Sequence, residues 1–416
     1  MVELHELGLL HHLDGICRPP IDHRAGAAPQ LGAAGYVGRM RSPRIAILVA
    51  SLALAATSCF VATAATAASQ GPPSHVNSIW LKSATYTPKA PPGATDDYHC
   101  TVLDPHVARS SYIVSSQFFP GSAEDHHAAL FLLPQSLVAQ ARRDEVFKHG
   151  WSCFGEGTLP NAPLTDFASI TLLSDWSPGS GPVNCPKGTG FIVPAGSMVI
   201  MQVHYNLLVG DRPVRNSLVL HTVPLSTPLM PLHVQEMEAA PDIPCPSGVT
   251  GPLCDRAASL ANQGQRFGGT AVLEVDGIEA LCGHGPSNPP VGDSTSCTSR
   301  LGNGGYLVRV APHMHLLGVG FTMVLDPGTP QARTILDVPN YDFHHQRAYN
   351  LARPVPVTAG EPVQITCTYD PTLAQELPIL RKVPPHFVTW GDGSADEMCV
   401  GVAWTSPRLP DAHDPI

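Results

Sequence analysis

Along most of this chain the apolar residues fall in short runs bounded by Pro, Gly, Asn and Ser, without the three-and-four spacing of a helical stripe. That pattern favours strands over helices. The run at residues 306–326, YLVRVAPHMHLLGVGFTMVLD, organises the rest. As a strand it alternates faces, putting Leu307, Arg309, Ala311, His313, His315 and Leu317 on one side and Val308, Val310 and Met314 on the other. His313 and His315 then point the same way, roughly 6 to 7 Å apart at the backbone, close enough for two imidazoles to converge on one transition metal. Further strands are predicted at 79–86, 112–119, 126–133, 196–207, 217–223, 341–351, 362–369 and 396–404. Only 134–148, PQSLVAQARRDEVFK, reads as a helix, and a long irregular connection fits it equally. In 196–207, Met198, Ile200, Gln202 and His204 share one face and Val199, Met201, Val203 and Tyr205 the other, so the apolar face should pack and His204 look outward. Many short, turn-separated strands predict an all-β chain of antiparallel sandwiches, divided at the Pro-rich stretch 224–231.

Composition narrows this picture. The 416 residues allow two or three domains. With 34 acidic and 24 basic residues and no Lys/Arg block, nucleic acid is not an expected partner. Near the N-terminus, Arg39 to Arg44 supplies a basic region, residues 45–56 an apolar run and Ala65-Thr66-Ala67 a small-x-small cleavage site, the features of a secretory signal peptide. Residues 1–68 are therefore expected to be an over-extended start plus that signal, and 69–94 a linker. Domains would follow at 95–228 and 229–410, with no transmembrane span in the mature chain. Lipid anchoring at Cys59 is a lesser alternative, because Ala56 stands where such acceptors usually carry Leu. Secretion makes disulfides the default for cysteine. Without Cys17 and Cys59, nine of the eleven cysteines remain, so at least one is free or paired between chains. Cys245, Cys254, Cys282 and Cys297 sit in stretches rich in Pro, Gly and Ser, read as loops stapled by disulfides of open connectivity, with Cys185 equally unassigned.

Two constellations can carry chemistry. In Asp125-His126-His127 the adjacent histidines face opposite ways on a regular strand, so both reach one metal only at a strand end or a bulge, which the turn Pro120-Gly121-Ser122 makes room for. His204 would join them. His313 and His315 need a third ligand; Met314 points away and reads as packing, whereas Met398 in GSADEMC offers a soft thioether that favours Cu(I) over zinc. Each signal alone is weak, since paired histidines are common on surfaces and methionines in cores.

Together, TDDYHC (95–100), the HH of EDHHAALF, QVHY (202–205), HMHLLG (313–318), YDFHHQRAY (341–349), VQITCTY and SADEMC resemble the copper type II, ascorbate-dependent monooxygenases. These include the peptidylglycine α-hydroxylating and dopamine β-hydroxylating enzymes. Order and approximate spacing agree over residues 95–405. The resemblance implies two tandem jelly-roll sandwiches and two copper ions, one on His126, His127 and His204 and the other on His313, His315 and Met398. It implies disulfides joining Cys100 to Cys153 and Cys367 to Cys399. It further implies O2 and ascorbate as co-reactants, a small-molecule substrate attacked at a C–H bond beside the catalytic His313, His315 and Met398, and metals facing each other across an open cleft. Gln202, on the face of His204, reads either as a residue that orients a ligand or lines that cleft or as a plain surface amide. Peptide-amidating members hold the substrate carboxylate with an Arg, an Asn and a Tyr where this chain has Ala311, Val400 and Val402, which predicts no peptidylglycine amidation. Arg309 is expected to be solvated or ion-paired, and His344 and His345 structural. The rival reading is a copper-binding or copper-scavenging sandwich without catalysis.

Overall fold

The computed structural model describes residues 76–143, 149–153, 159, 170–285 and 288–409. The predicted signal segment with Cys17 and Cys59 lies outside these residues, as do the start of the linker and the end of the 134–148 helix. The described chain is mostly β, in small, mainly antiparallel sheets. One sheet runs Trp151–Ser152, Asp96–Leu103, Met198–Asn206, Asp125–Leu133, Thr171–Trp176. A second runs Asn77–Lys82, Ser217–Pro224, Ser111–Phe119, Thr189–Val193, Met230–Pro231, with Val183–Asn184 also pairing with Ser111–Phe119. Side chains of both, among them Leu130, Ile200, Phe118 and Leu218, share one apolar core.

The second half repeats the scheme. His233–Glu238, Val400–Ser406, Gly305–His313 and Tyr349–Val357 form one sheet, and Ser294–Arg300, Pro362–Tyr369, Gly318–Leu325 and Arg333–Val338 the other. Leu307, Val310, Phe321, Met323 and Ile365 fill the core between them. Val308, Ala311, Val402 and Trp404, on the opposite face of the first of these sheets, join the core of the first half, so the two halves pack directly.

Several expectations need correcting. The run 306–326 is two strands, Gly305–His313 and Gly318–Leu325, joined by a turn. Pro312 closes the first strand, and Gly318 lets the turn tighten, because a Cβ there would lie 2.2 Å from Met314 Cε. A bulge between Leu307 and Arg309 puts Leu307 and Val310 in the same core, which strict alternation forbids. All nine residues of Met198–Asn206 are buried, so His204 does not look outward; the strand is central in its sheet and its polar face is covered by the second half. Residues 341–351 are a 3-10 turn at Phe343–His345 followed by Tyr349–Val357.

The stretch read as disulfide-stapled loops holds two helices, Arg256–Phe267 and Gly269–Leu281. Asp255 caps the first by accepting the Ala258 N–H. Among the described residues four disulfides are formed: Cys100–Cys153, Cys245–Cys254, Cys282–Cys297 and Cys367–Cys399. Cys185 is unpaired, and burial pushes its thiol up to about 12. No helix among the described residues is long and apolar enough to cross a membrane.

Candidate metal centre

The first histidine group is built on adjacent strands. Asp125 pairs with Tyr205 and His127 with His204, and the register slips between Asp125 and His127. His126 is thus the extra residue of a bulge, which allows two consecutive imidazoles to approach His204. Donor atoms of His126, His127 and His204 all lie within 4.8 Å of one another. His204 stacks on Tyr98 with ring centroids 4.2 Å apart and is fully buried. Its Nε2–H donates to Asp96 Oδ1 at 2.8 Å, leaving the Nδ1 lone pair facing His127 Nε2, also at 2.8 Å. Burial opposes ionisation of Asp96, but its bonds to His204, Thr95 and Ser394 prevail and hold the carboxyl at about 2. A carboxylate behind an imidazole is the usual support of a metal-binding histidine.

The second group lies at the end of Gly305–His313. His313 Nδ1–H donates to Gln346 Oε1 at 2.6 Å. His315, in the turn, is fully buried; its Nδ1–H donates to the Asp396 carbonyl at 3.1 Å, and its Nε2 has no partner. The carboxylate of Glu397 accepts the backbone N–H groups of His315, Leu317 and Met398, clasping the turn to the strand that follows. The rings of His313 and His315 are 5.3 Å apart, and Met398 lines the same cavity as His313. The donor atom His126 Nδ1 of the first group is likewise buried without a partner. Burial lowers His126 to about 3, puts His127 and His315 well below the usual imidazole range, and also lowers His313. Neutral imidazoles are the form that ligates metal.

The two groups meet rather than facing each other across the open cleft that the resemblance implies. His127 and His313 have ring centroids 5.7 Å apart, and Phe343 sits between His126 (4.7 Å) and His315 (5.7 Å). Beside them lies a cavity of about 150 Å³. Gln202 lines it and donates to the Cys153 carbonyl; Ala311, Val400 and Val402 form one apolar wall. Arg309 is outside this lining, part-buried over the Trp404 ring and bonded to the Asn184 carbonyl, neither solvated nor ion-paired as expected. His344 stands near His126, 6.5 Å between rings, and His345 pairs with Asp342 on the surface. Sequence reasoning quoted Asp96, Gln346 and Asp396 within motifs but gave them no role, because a hydrogen bond behind a ligand leaves no periodic trace.

Three of the candidate ligands, His313, His315 and Met398, sit in one stretch that resembles a known family. Residues 293–403 match the family of copper type II ascorbate-dependent monooxygenases, C-terminal domain. The matched stretch contains His313, His315 and Met398, both strands of the histidine turn and both cysteines of the Cys367–Cys399 bridge. Its family is one of copper-dependent, ascorbate-using monooxygenases, which are oxidoreductases. The first histidine group lies outside the matched residues. No curated protein matches the chain. Among solved structures, an allantoicase is 12% identical, covering 65% of this chain and 74% of its own, at a TM-score of 0.16. The Saccharomyces cerevisiae allantoicase is 8% identical, with coverage of 74% and 77% and a TM-score of 0.17. The infectious bursal disease virus VP2 subviral particle is 8% identical, with coverage of 81% and 72% and a TM-score of 0.19. Likenesses this slight carry no argument about fold or function.

Proposed function

We propose that this chain is an exported copper monooxygenase that hydroxylates a C–H bond of a small organic molecule with O2 and ascorbate, and that its substrate is not a peptidylglycine. The reading is carried by two buried, unpartnered ring nitrogens, His126 Nδ1 and His315 Nε2, each inside a group of neutral imidazoles. Imidazole and thioether donors suit copper. His126, His127 and His204 would hold one ion and His313, His315 and Met398 the other, in jelly-roll sandwiches spanning 95–228 and 229–410. Copper would supply the redox chemistry, in which O2, two electrons from ascorbate and two protons leave one oxygen atom in the product hydroxyl and the other in water.

The protein's contribution is placement. Asp96, Gln346 and the Asp396 carbonyl each take one ring N–H, of His204, His313 and His315 respectively, and so turn the other nitrogen towards its site. The cavity places a substrate against His313 and Met398 while Trp176, Trp390 and Trp404 limit water. A carboxylate against Ala311, Val400 and Val402 would lack charge-assisted partners, at a cost of roughly several kcal/mol. Among the described residues, Asp175, Glu236, Glu238, Glu274 and Asp392 line the same cavity and no Lys or Arg does, which disfavours an anionic substrate. Four disulfides suit an oxidising compartment and support export.

Metal analysis after dialysis should find close to two coppers per chain, and a screen of small compounds with ascorbate and O2 should find a product heavier by one oxygen atom. Zinc alone, or no metal, would sink the reading. Copper with no product from any compound would favour the scavenging protein. Met398→Ala should abolish turnover while keeping the fold and the all-histidine copper; normal hydroxylation by that variant would refute the assignment of the second site.

A further inference from the structure

Outside the two histidine groups, a buried polar contact in the second half joins the helix Arg256–Phe267 to the segment leading to Met398. Ser259, Gln263 and Arg266, at spacings of four and three, form one stripe on that helix. Ser259 Oγ donates to the Phe387 carbonyl at 2.6 Å. Gln263 donates to the Trp390 carbonyl and accepts from Thr389 Oγ1. Arg266 grips Asp396 with both terminal nitrogens, at 2.8 and 2.7 Å, while its Nε donates to Asn262. The pair is nearly closed to water, with side-chain exposures of 12% and 3%. A Cβ on Gly393 would lie 2.6 Å from Asp396 Oδ2 and 3.3 Å from Arg266 Nη1, so glycine is what lets the loop close round the ion pair.

The segment so fixed reaches both histidine groups. Asp396 offers its carbonyl to His315 Nδ1–H. Ser394 Oγ donates to the same Asp96 oxygen that accepts from His204. Glu397 clasps the His315 turn, and Met398 follows it. We infer that Arg266 is a positioning residue through which the helix Arg256–Phe267 sets His315 by way of the Asp396 carbonyl, Met398 by fixing the segment that leads to it, and His204 more remotely through Ser394 and Asp96. The inference rests on the copper reading for its consequence, but its geometry does not require metal. A planar guanidinium fork fixes a carboxylate in orientation as well as distance, which a lysine cannot reproduce.

The test uses the full mature chain and the variants Arg266→Gln, Arg266→Lys, Asp396→Asn and Ser394→Ala. In metal-free protein, imidazole ¹⁵N–¹H spectra should show a protected Nδ1–H on His315 whose exchange quickens about tenfold in Arg266→Gln. With copper, chelator competition should show affinity at the His313, His315, Met398 site falling about 10–100-fold, the usual effect of losing a partner behind a ligand. Copper–sulfur scattering in X-ray absorption should weaken in step. Arg266→Lys should fall between wild type and Arg266→Gln, and Ser394→Ala should affect the all-histidine site alone. Unchanged His315 exchange and unchanged affinity in Arg266→Gln would overturn the inference, as would equal weakening of both sites. If Arg266→Gln loses its fold by circular dichroism, Asp396→Asn decides, with wild-type His315 exchange counting against the inference. Wild-type protein that takes up no copper would overturn the copper reading, and the His315 exchange would still judge the role of Arg266.

Discussion

At the residue scale, a buried polar atom without a partner costs roughly 1–3 kcal/mol, so His126 Nδ1 and His315 Nε2 are costly unless something takes their lone pairs. Ions that bind only the folded chain would stabilise it by about 2.7 kcal/mol per site at a hundredfold excess over Kd. A thermal melt should therefore rise with Cu added and fall back with chelator, and His315→Ala should lose part of that rise. His99 gives a separate handle on pH. Burial holds it down to about 4, and it stacks on Tyr86 with ring centroids 3.6 Å apart. Its pKa is lower folded than unfolded, near 6.5, so its contribution is complete above pH 6.5 and is lost as pH falls through 4. Between pH 7 and 4.5 urea unfolding should show a loss on the order of 2 kcal/mol from this group, and His99→Phe should lose correspondingly less; an identical pH profile would contradict the assignment. The ligand candidates were legible in sequence because the motifs that carry them occur together and in order. Asp96 and Gln346 were not, since their roles depend on which ring nitrogen each one faces.

At the element scale, the site is made by departures from regular strands. The bulge at His126 brings two consecutive histidines to His204, and the turn after His313 carries His315 inward. Gly318→Ala should show how tight that turn is: the new Cβ would meet Met314 side-chain atoms at 2.2 and 2.8 Å, an overpacking that costs about 1–3 kcal/mol. Denaturant unfolding should report that loss, with the second copper released at lower chelator concentration than the first. A bulge at His126 could be expected from the sequence, because adjacent ligands demand one. The break in 306–326 carried only the marks of Pro312 and Gly318, and the apolar alternation around them reads the same whether the chain continues or reverses. The helix Arg256–Phe267 was hidden for another reason: its stripe Ser259, Gln263 and Arg266 is polar and is buried by hydrogen bonds rather than by apolar packing.

At the scale of the molecule, each half supplies one histidine group and the other half closes it. Cys367–Cys399 ties the strand Pro362–Tyr369 to the residue after Met398 across a sequence separation of 32. Replacing both cysteines with Ala should cost about 3–4 kcal/mol by loop-closure entropy and lower affinity at the Met398 site before that at the all-histidine site; equal losses would argue against a local role for the bridge. The sequence by itself determined the strand-rich class and the residue types able to bind copper, because side-chain alternation and ligand chemistry are local properties. Only the tertiary structure decided that the two histidine groups touch, that His204 is buried, and that a helix at residues 256–267 holds the loop before Met398. Those outcomes depend on contacts between residues more than a hundred positions apart, such as Asp96 with Ser394 between the halves and Arg266 with Asp396 within the second half, whose energies exist only once the chain has folded.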